Sequence, residues 1–270
     1  MGKTIVDRTL TLLGRRCAER LAPLTIADVR IGVHFTAVLL SDGHCGVAGT
    51  MRPAARPLDK SQRQFGPFSP ARIRGQYVGD LFAADQDTLY NRSLTIATMN
   101  ALSAPLLTPP AYEVLEDTDP LDLFEFGPGR RVAIVGAFQS YIKRVAASGA
   151  DLQVLEFRPE MLQEAHRSYF VSADTYATVL PAADLVIITG QTLANGTLDQ
   201  LLQTVNPQAE IMLTGPTASF LPDVLFEYPV KAIGAVRFPD PEQALTVAGE
   251  GGSGYHLFKY GAEKICLTRS

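Results

Sequence analysis

The chain has 270 residues, 46% hydrophobic and 19% charged, which excludes wholesale disorder and allows one large core or two small ones. Lys and Arg number 24 against 28 Asp and Glu, a net charge of −4. Nothing global therefore calls for nucleic acid or an anionic membrane surface.

The opening, MGKTIVDRTL, has no long apolar stretch and no small-residue cleavage site, so it does not read as a signal peptide. Residues 4–21 read as a helix, with Ile5, Val6, Leu10, Leu13, Cys17 and Leu21 close to one face. Residues 29–40 alternate and then run apolar with β-branched residues, which predicts a strand. Ser41-Asp42-Gly43 follows as a hairpin turn, with a return strand from His44 to Met51. Residues 52–74 carry six basic residues against the single acid Asp59. Pro53, Pro57, Pro67 and Pro70 break regular structure there, so this is a basic loop. Its basic residues could gather an anion; a solvated surface loop is the plainer alternative. Helical patterns cover roughly 70–84 and 88–103.

Residues 105–130 change character, with five prolines and a run of acids from Glu113 to Glu125. They read as an acidic connection, dividing the chain into a unit over 1–108, a linker over 109–126 and a second unit over 127–270. Strands are then expected at 130–138, 151–157, 184–190, 209–215, 230–238 and 264–269, with helices between most of them. Apolar strands alternating with helices predict a parallel sheet covered on both faces. No apolar run is long enough to span a membrane. Leu185 to Leu198 is the longest without charge, and Gly, Asn, Gln and Thr interrupt it.

Three of these strands end in glycine, at Gly136, Gly190 and Gly215. In an open parallel sheet, ligands bind outside the carboxyl ends of the strands, where strand order reverses. Glycine there permits a positive φ and a close approach, although strand-to-helix turns favour glycine anyway. Glu156 follows Gly136 by twenty residues, where dinucleotide folds place an acid for the ribose hydroxyls. The turn VGAFQSY holds one glycine where the fingerprint wants three, which weakens that reading. The segment ITGQTLANGTLDQLL crowds Thr189, Gln191, Thr192, Asn195 and Thr197 at a strand end and helix start. Such residues cap helices, and they also build anion or oxyanion sites. Thr217 and Ser219 repeat the theme one strand later.

No metal-binding spacing occurs. The chain has four His and three Cys, scattered, with no CxxC, HExxH or Walker loop. His44 and Cys45 are adjacent on a strand and should point to opposite faces, so they do not make a joint ligand pair. Cys17, Cys45 and Cys266 are odd in number and widely spaced. They make no disulfide framework and fit a reducing cytoplasm.

Taken together, IGVHFTAVLLSDG, CGVAGT, NALS at 100–103, VAIVGAF, VLEFRP, ITGQTLANGTLDQLL and GPTASFLPD resemble the "putative heavy-metal chelation" family, from about residue 29 to 250. The resemblance implies an α/β fold: a small α+β enolase N-terminal-like domain followed by a Rossmann-like parallel-sheet three-layer domain. It implies a site between the two, completed in a homodimer, for a metal ion or metal chelate of unstated identity. Carried over by motif, the ligand-binding residues are Thr36, Asn100, Gly136, Phe138, Glu156, Thr189, Gly190, Thr192, Asn195, Gly215 and Pro216. No set of first ligands to a metal, and no enolase chemistry, can be carried over. Two functions follow as expectations. One is a metal-chelate binding or handling protein with its ligand in the cleft. The other is an enzyme on a small organic anion or nucleotide-like substrate, with Glu156 as ribose ligand or general base.

Overall fold

A computed structural model describes residues 2–51, 66–84, 89–109 and 112–269. Most of the expected basic loop, 52–65, lies outside the described residues. The strands are β1 (Ile26–Ile31), β2 (Phe35–Leu40), β3 (Cys45–Gly49), β4 (Glu113–Glu116), β5 (Arg131–Val135), β6 (Asp151–Glu156), β7 (Phe170–Ser172), β8 (Leu185–Thr189), β9 (Glu210–Thr214), β10 (Val230–Arg237) and β11 (Glu263–Thr268). The helices are α1 (Ile5–Arg16), α2 (Ala18–Leu21), α3 (Val78–Ala83), α4 (Leu89–Ser103), α5 (Gln139–Ala147), α6 (Tyr176–Val179), α7 (Gln191–Ala194), α8 (Leu198–Thr204), α9 (Pro241–Gly249) and α10 (Gly254–Lys259).

Helix α1 starts at a capping box, Thr4 with Asp7, and carries Arg15 and Arg16 in its last turn, in line with the helix dipole. It buries Ile5, Thr9 and Leu13. The helix expected over 4–21 breaks at Cys17, whose φ of −120° starts the short α2. The small sheet is antiparallel, in the order β1-β2-β3. The turn at Ser41-Asp42-Gly43 is where the sequence puts it, with Gly43 at φ +86°. The single strand expected over 29–40 is instead β1, a turn and β2. Gly32 makes that turn under the backbone of α9, because a Cβ on it would fall 1.8 Å from the Ala248 oxygen. Helix α4 lies directly on β3, where a Cβ on Gly46 would meet the Ala97 oxygen at 2.2 Å. The helix expected over 70–84 is reduced to α3. The backbone before it is used otherwise: Gly75 N donates to Ile26 O and Val78 N to Leu24 O.

The large sheet is mostly parallel, in the order β4-β11-β10-β9-β8-β5-β6-β7. Strands β5, β6, β7, β8, β9 and β10 run parallel, and β11 and β4 close one edge antiparallel. Both faces are covered, as the continuous apolar strands require. Val135, Leu155, Ile188 and Leu213 face a core shared with α1, α4 and α8, while Ile134, Val154, Ile187 and Met212 face α5. The alternation along each strand sets which residue goes to which face. A third cluster joins α9 to the outer face of the small sheet through Ala37, Val47, Leu245 and Ala248. Segment 109–126, expected as a connection, contributes β4 to the large sheet and a 3-10 turn at Pro120–Leu123. The three residues of β7 have no counterpart among the expected strands.

Candidate functional site

The chain order reverses between β5 and β8, which pair as neighbours. That is the switch point where open sheets of this kind bind ligands. Gly136 and Gly215 take φ of +102° and +120°, which only glycine adopts without strain. The three glycines lie together: a Cβ on Gly136 would meet Thr189 Cγ2 at 3.0 Å, and one on Gly215 would meet Gly190 N at 3.9 Å. Their amides are already used. Gly136 N donates to Leu155 O, Gly190 N to Thr214 O and Gly215 N to Gly234 O, at 3.0, 2.7 and 3.0 Å. Sheet pairing thus continues to the carboxyl edge, and the glycines give room rather than donors. Gly190 gives room to protein, since a Cβ there would sit 3.0 Å from Ala218 N.

Two chambers open at this edge, and Thr189 and Gln191 line both. The first, about 510 Å³, is walled by Phe138, Tyr141, Tyr255 and Phe258. Thr214, Gly215, Pro216 and Thr217 form its base, and His34 and Lys264 bring the basic groups. The rings of Phe138 and Tyr141 stand 5.6 Å apart, and the Lys264 ammonium sits 5.1 Å from the centre of the Phe258 ring. Burial, reinforced by Asp119, pushes the Tyr141 phenol up, so its hydroxyl stays protonated. The second chamber, about 410 Å³, is lined by Gly136, Glu156, Asp174, Tyr176, Thr192 and Asn195, among others.

The sequence-derived residues divide accordingly. Phe138, Gly215 and Pro216 line the first chamber, Thr189 both, and Gly136, Glu156, Thr192 and Asn195 the second. Thr36, Asn100 and Gly190 line neither. Thr36 is buried, its Oγ1 3.1 Å from that of Thr50. Asn100 is a stitch between the two sheets, its Nδ2 donating to the oxygens of Val47, Pro216 and Thr217 at 2.8, 3.2 and 3.2 Å. Several polar groups of the 188–197 segment are engaged locally. Thr192 Oγ1 donates to Thr189 O at 2.6 Å, and Asn195 Oδ1 accepts from Thr197 N and Oγ1 at 3.1 and 2.7 Å. Sequence reasoning missed Tyr141, Tyr255, Phe258 and Lys264. The aromatic run YHLFKY at 255–260 was the one available signal.

A heavy-metal ion would want thiolates or imidazoles. Among the described residues, no group of three or more His, Cys, Asp or Glu side chains could hold an ion. All three thiols are buried, and burial pushes Cys45 up to about 12 and Cys266 up to about 11. His44 meets Asp42 at 3.2 Å, but Arg20 Nε also donates to Asp42, at 2.6 Å, and puts a cation where an ion would sit. The residues present do not fit a bare soft metal.

Two family models match the chain: DUF4213 over residues 15–103 and DUF364 over 119–267, both described as "Putative heavy-metal chelation". The second covers more than half of the chain, which therefore belongs to the DUF364 family. An uncharacterized protein of Methanocaldococcus jannaschii, MJ0500, is 25% identical over 270 residues, covering 97% of this chain and 96% of that one. Two crystal structures of DUF364-family proteins of unknown function share the fold. The one from Pyrococcus horikoshii has a TM-score of 0.76 at 21% identity, covering 96% of this chain and 99% of its own. The one from Desulfitobacterium hafniense has 0.70 at 17%, covering 97% and 100%. Among the described residues, no helix is long and apolar enough to cross a membrane.

Proposed function

We propose that this protein binds a metal chelate, a metal already wrapped in a small organic anion, in the first chamber of the cleft. The donor set there supports the reading. Aromatic walls, hydroxyls and Lys264 suit a flat organic anion, the one described carboxylate on the wall, Asp119, being paired with Arg144 at 3.3 Å, while the chain's thiols are buried and protonated elsewhere. The family description supports a metal, and the chemistry of the chamber favours one carried inside an organic shell. The units over about 1–108 and 127–270 are read as an enolase N-terminal-like and a Rossmann-like domain, with the cleft between them. Val33 and Tyr255, 57% and 68% exposed, give an apolar rim that a second copy of the chain would cover. We read the protein as a cytoplasmic homodimer on that basis and on its cysteine usage, and light scattering tests the dimer.

Native mass spectrometry with elemental analysis of the purified protein tests the ligand. The expected result is metal retained only together with an organic mass. Stoichiometric metal retained without one would overturn the reading. Lys264→Met should weaken the chelate by about tenfold or more, since hydrogen bonds to charged groups contribute about 1.5–3 kcal/mol.

A further inference from the structure

The second chamber differs from the first in charge. Two carboxylates, Glu156 and Asp174, line it, and among the described residues no Lys, Arg or His side chain does. A phosphate or carboxylate ligand would meet two like charges there and no described cation to offset them. A neutral or cationic ligand rich in donors would be satisfied. Glu156 ends β6, next to β5 and across from Gly136. Its Oε1 accepts from Phe157 N at 2.7 Å, which holds the carboxylate in place and leaves Oε2 with no partner among the described residues. A fixed carboxylate at this strand end matches the vicinal hydroxyls of a ribose. Asp174, just beyond β7, supplies a second acceptor from another strand end, suited to an exocyclic amine. Leu155, Leu201 and Ala173 give the apolar surface that a base requires.

The turn where a diphosphate would sit is filled. Phe138 and Tyr141 stand where the turn would carry its further glycines, and Gln139 Nε2 donates to the Met161 oxygen at 2.7 Å. The chamber therefore lacks the phosphate cradle of a dinucleotide site while keeping its ribose acid. We infer that the second chamber binds a ribonucleoside with an amino-bearing base, through Glu156 on the ribose diol, without any contribution from phosphate. This site is separate from the chelate chamber, with Thr189 and Gln191 as the shared wall.

Isothermal titration of the full chain with adenosine, 2′-deoxyadenosine, inosine and ADP tests this. Adenosine should saturate one site. The deoxynucleoside and inosine should each bind at least tenfold more weakly, and ADP no more tightly than adenosine. Glu156→Gln should lose at least tenfold for adenosine and no longer distinguish the two sugars, with its melting temperature and its chelate retention unchanged. Asp174→Asn should abolish the preference over inosine. No saturation by adenosine, equal affinity for the two sugars, or tighter binding of ADP would overturn the proposal. Chelate retention in the same variants reports on the first chamber separately, so either reading can fail alone.

Discussion

Asp184 sits just before β8, at the opposite end of the strands from the two chambers. Its carboxylate takes Arg131 N and Nη2 at 2.9 Å each, which ties β8 to β5. The Arg131 side chain, then its backbone amide, pull the Asp184 carboxyl down to about 2. An ordinary aspartate titrates near 3.9, so the folded state holds this proton more weakly than the unfolded chain. The pair therefore stabilises the fold above about pH 4, and the effect is lost as pH falls through about 2. Asp184→Asn should be less stable than the parent at about pH 7, with the two denaturation curves converging near about pH 2. Asn195→Ala should cost about 0.5–1.5 kcal/mol in urea melts, because the oxygen it removes accepts from Thr197 N and Oγ1 in the turn ahead of α8. Asn100→Ala should cost about 1–3 kcal/mol by leaving the carbonyls of Val47 in β3 and of Pro216 and Thr217 in the turn after β9 short of a donor. A change of either kind in chelate binding with unaltered stability would make these residues ligands instead of stitches.

Gly46 lets α4 rest on β3. An added Cβ would fall 2.2 Å from Ala97 O and 2.3 Å from Ala101 N, both backbone atoms that cannot swing aside. Gly46→Ala should lower stability by about 1–3 kcal/mol, read as a fall in the urea midpoint, whereas Gly79→Ala, open within 4 Å, serves as the matched control. The parallel strands were legible because strands buried on both faces are unbroken apolar runs, as in VAIV and LVII. β7 was not, since its three residues are half-buried and too few to show a period. Nor was β4, whose EVLE is bounded by acids and gains its identity only by pairing with β11. The turn at Gly32 hid inside an apolar run because Val33 is apolar yet exposed. In the cleft, glycines and threonines at the strand ends stood out. Of the aromatic wall only Phe138 stood out; Tyr255 and Phe258 did not, because α10 reaches the first chamber only through the packing of α9 on the small sheet.

Across the whole molecule the three thiols lie in separate parts of the interior, each buried. A thiol reagent at about pH 8 should label none of them in the native protein and all of them in denaturant, since the thiolate is the reactive form and burial holds it back. Rapid labelling of the native protein would show a looser interior and return cysteine to the candidate metal ligands. The contacts that close the fold join distant parts of the chain. Glu113 accepts from Thr268, 155 residues on, and the amide of Ile5 donates to Asp199, 194 residues on. A ribosome adds about 5–20 residues per second, so β4 emerges and waits on the order of ten to thirty seconds for its partner strand. For that interval β4 has no strand to pair with, and the nascent chain is a natural client for whatever chaperone stands at the tunnel exit.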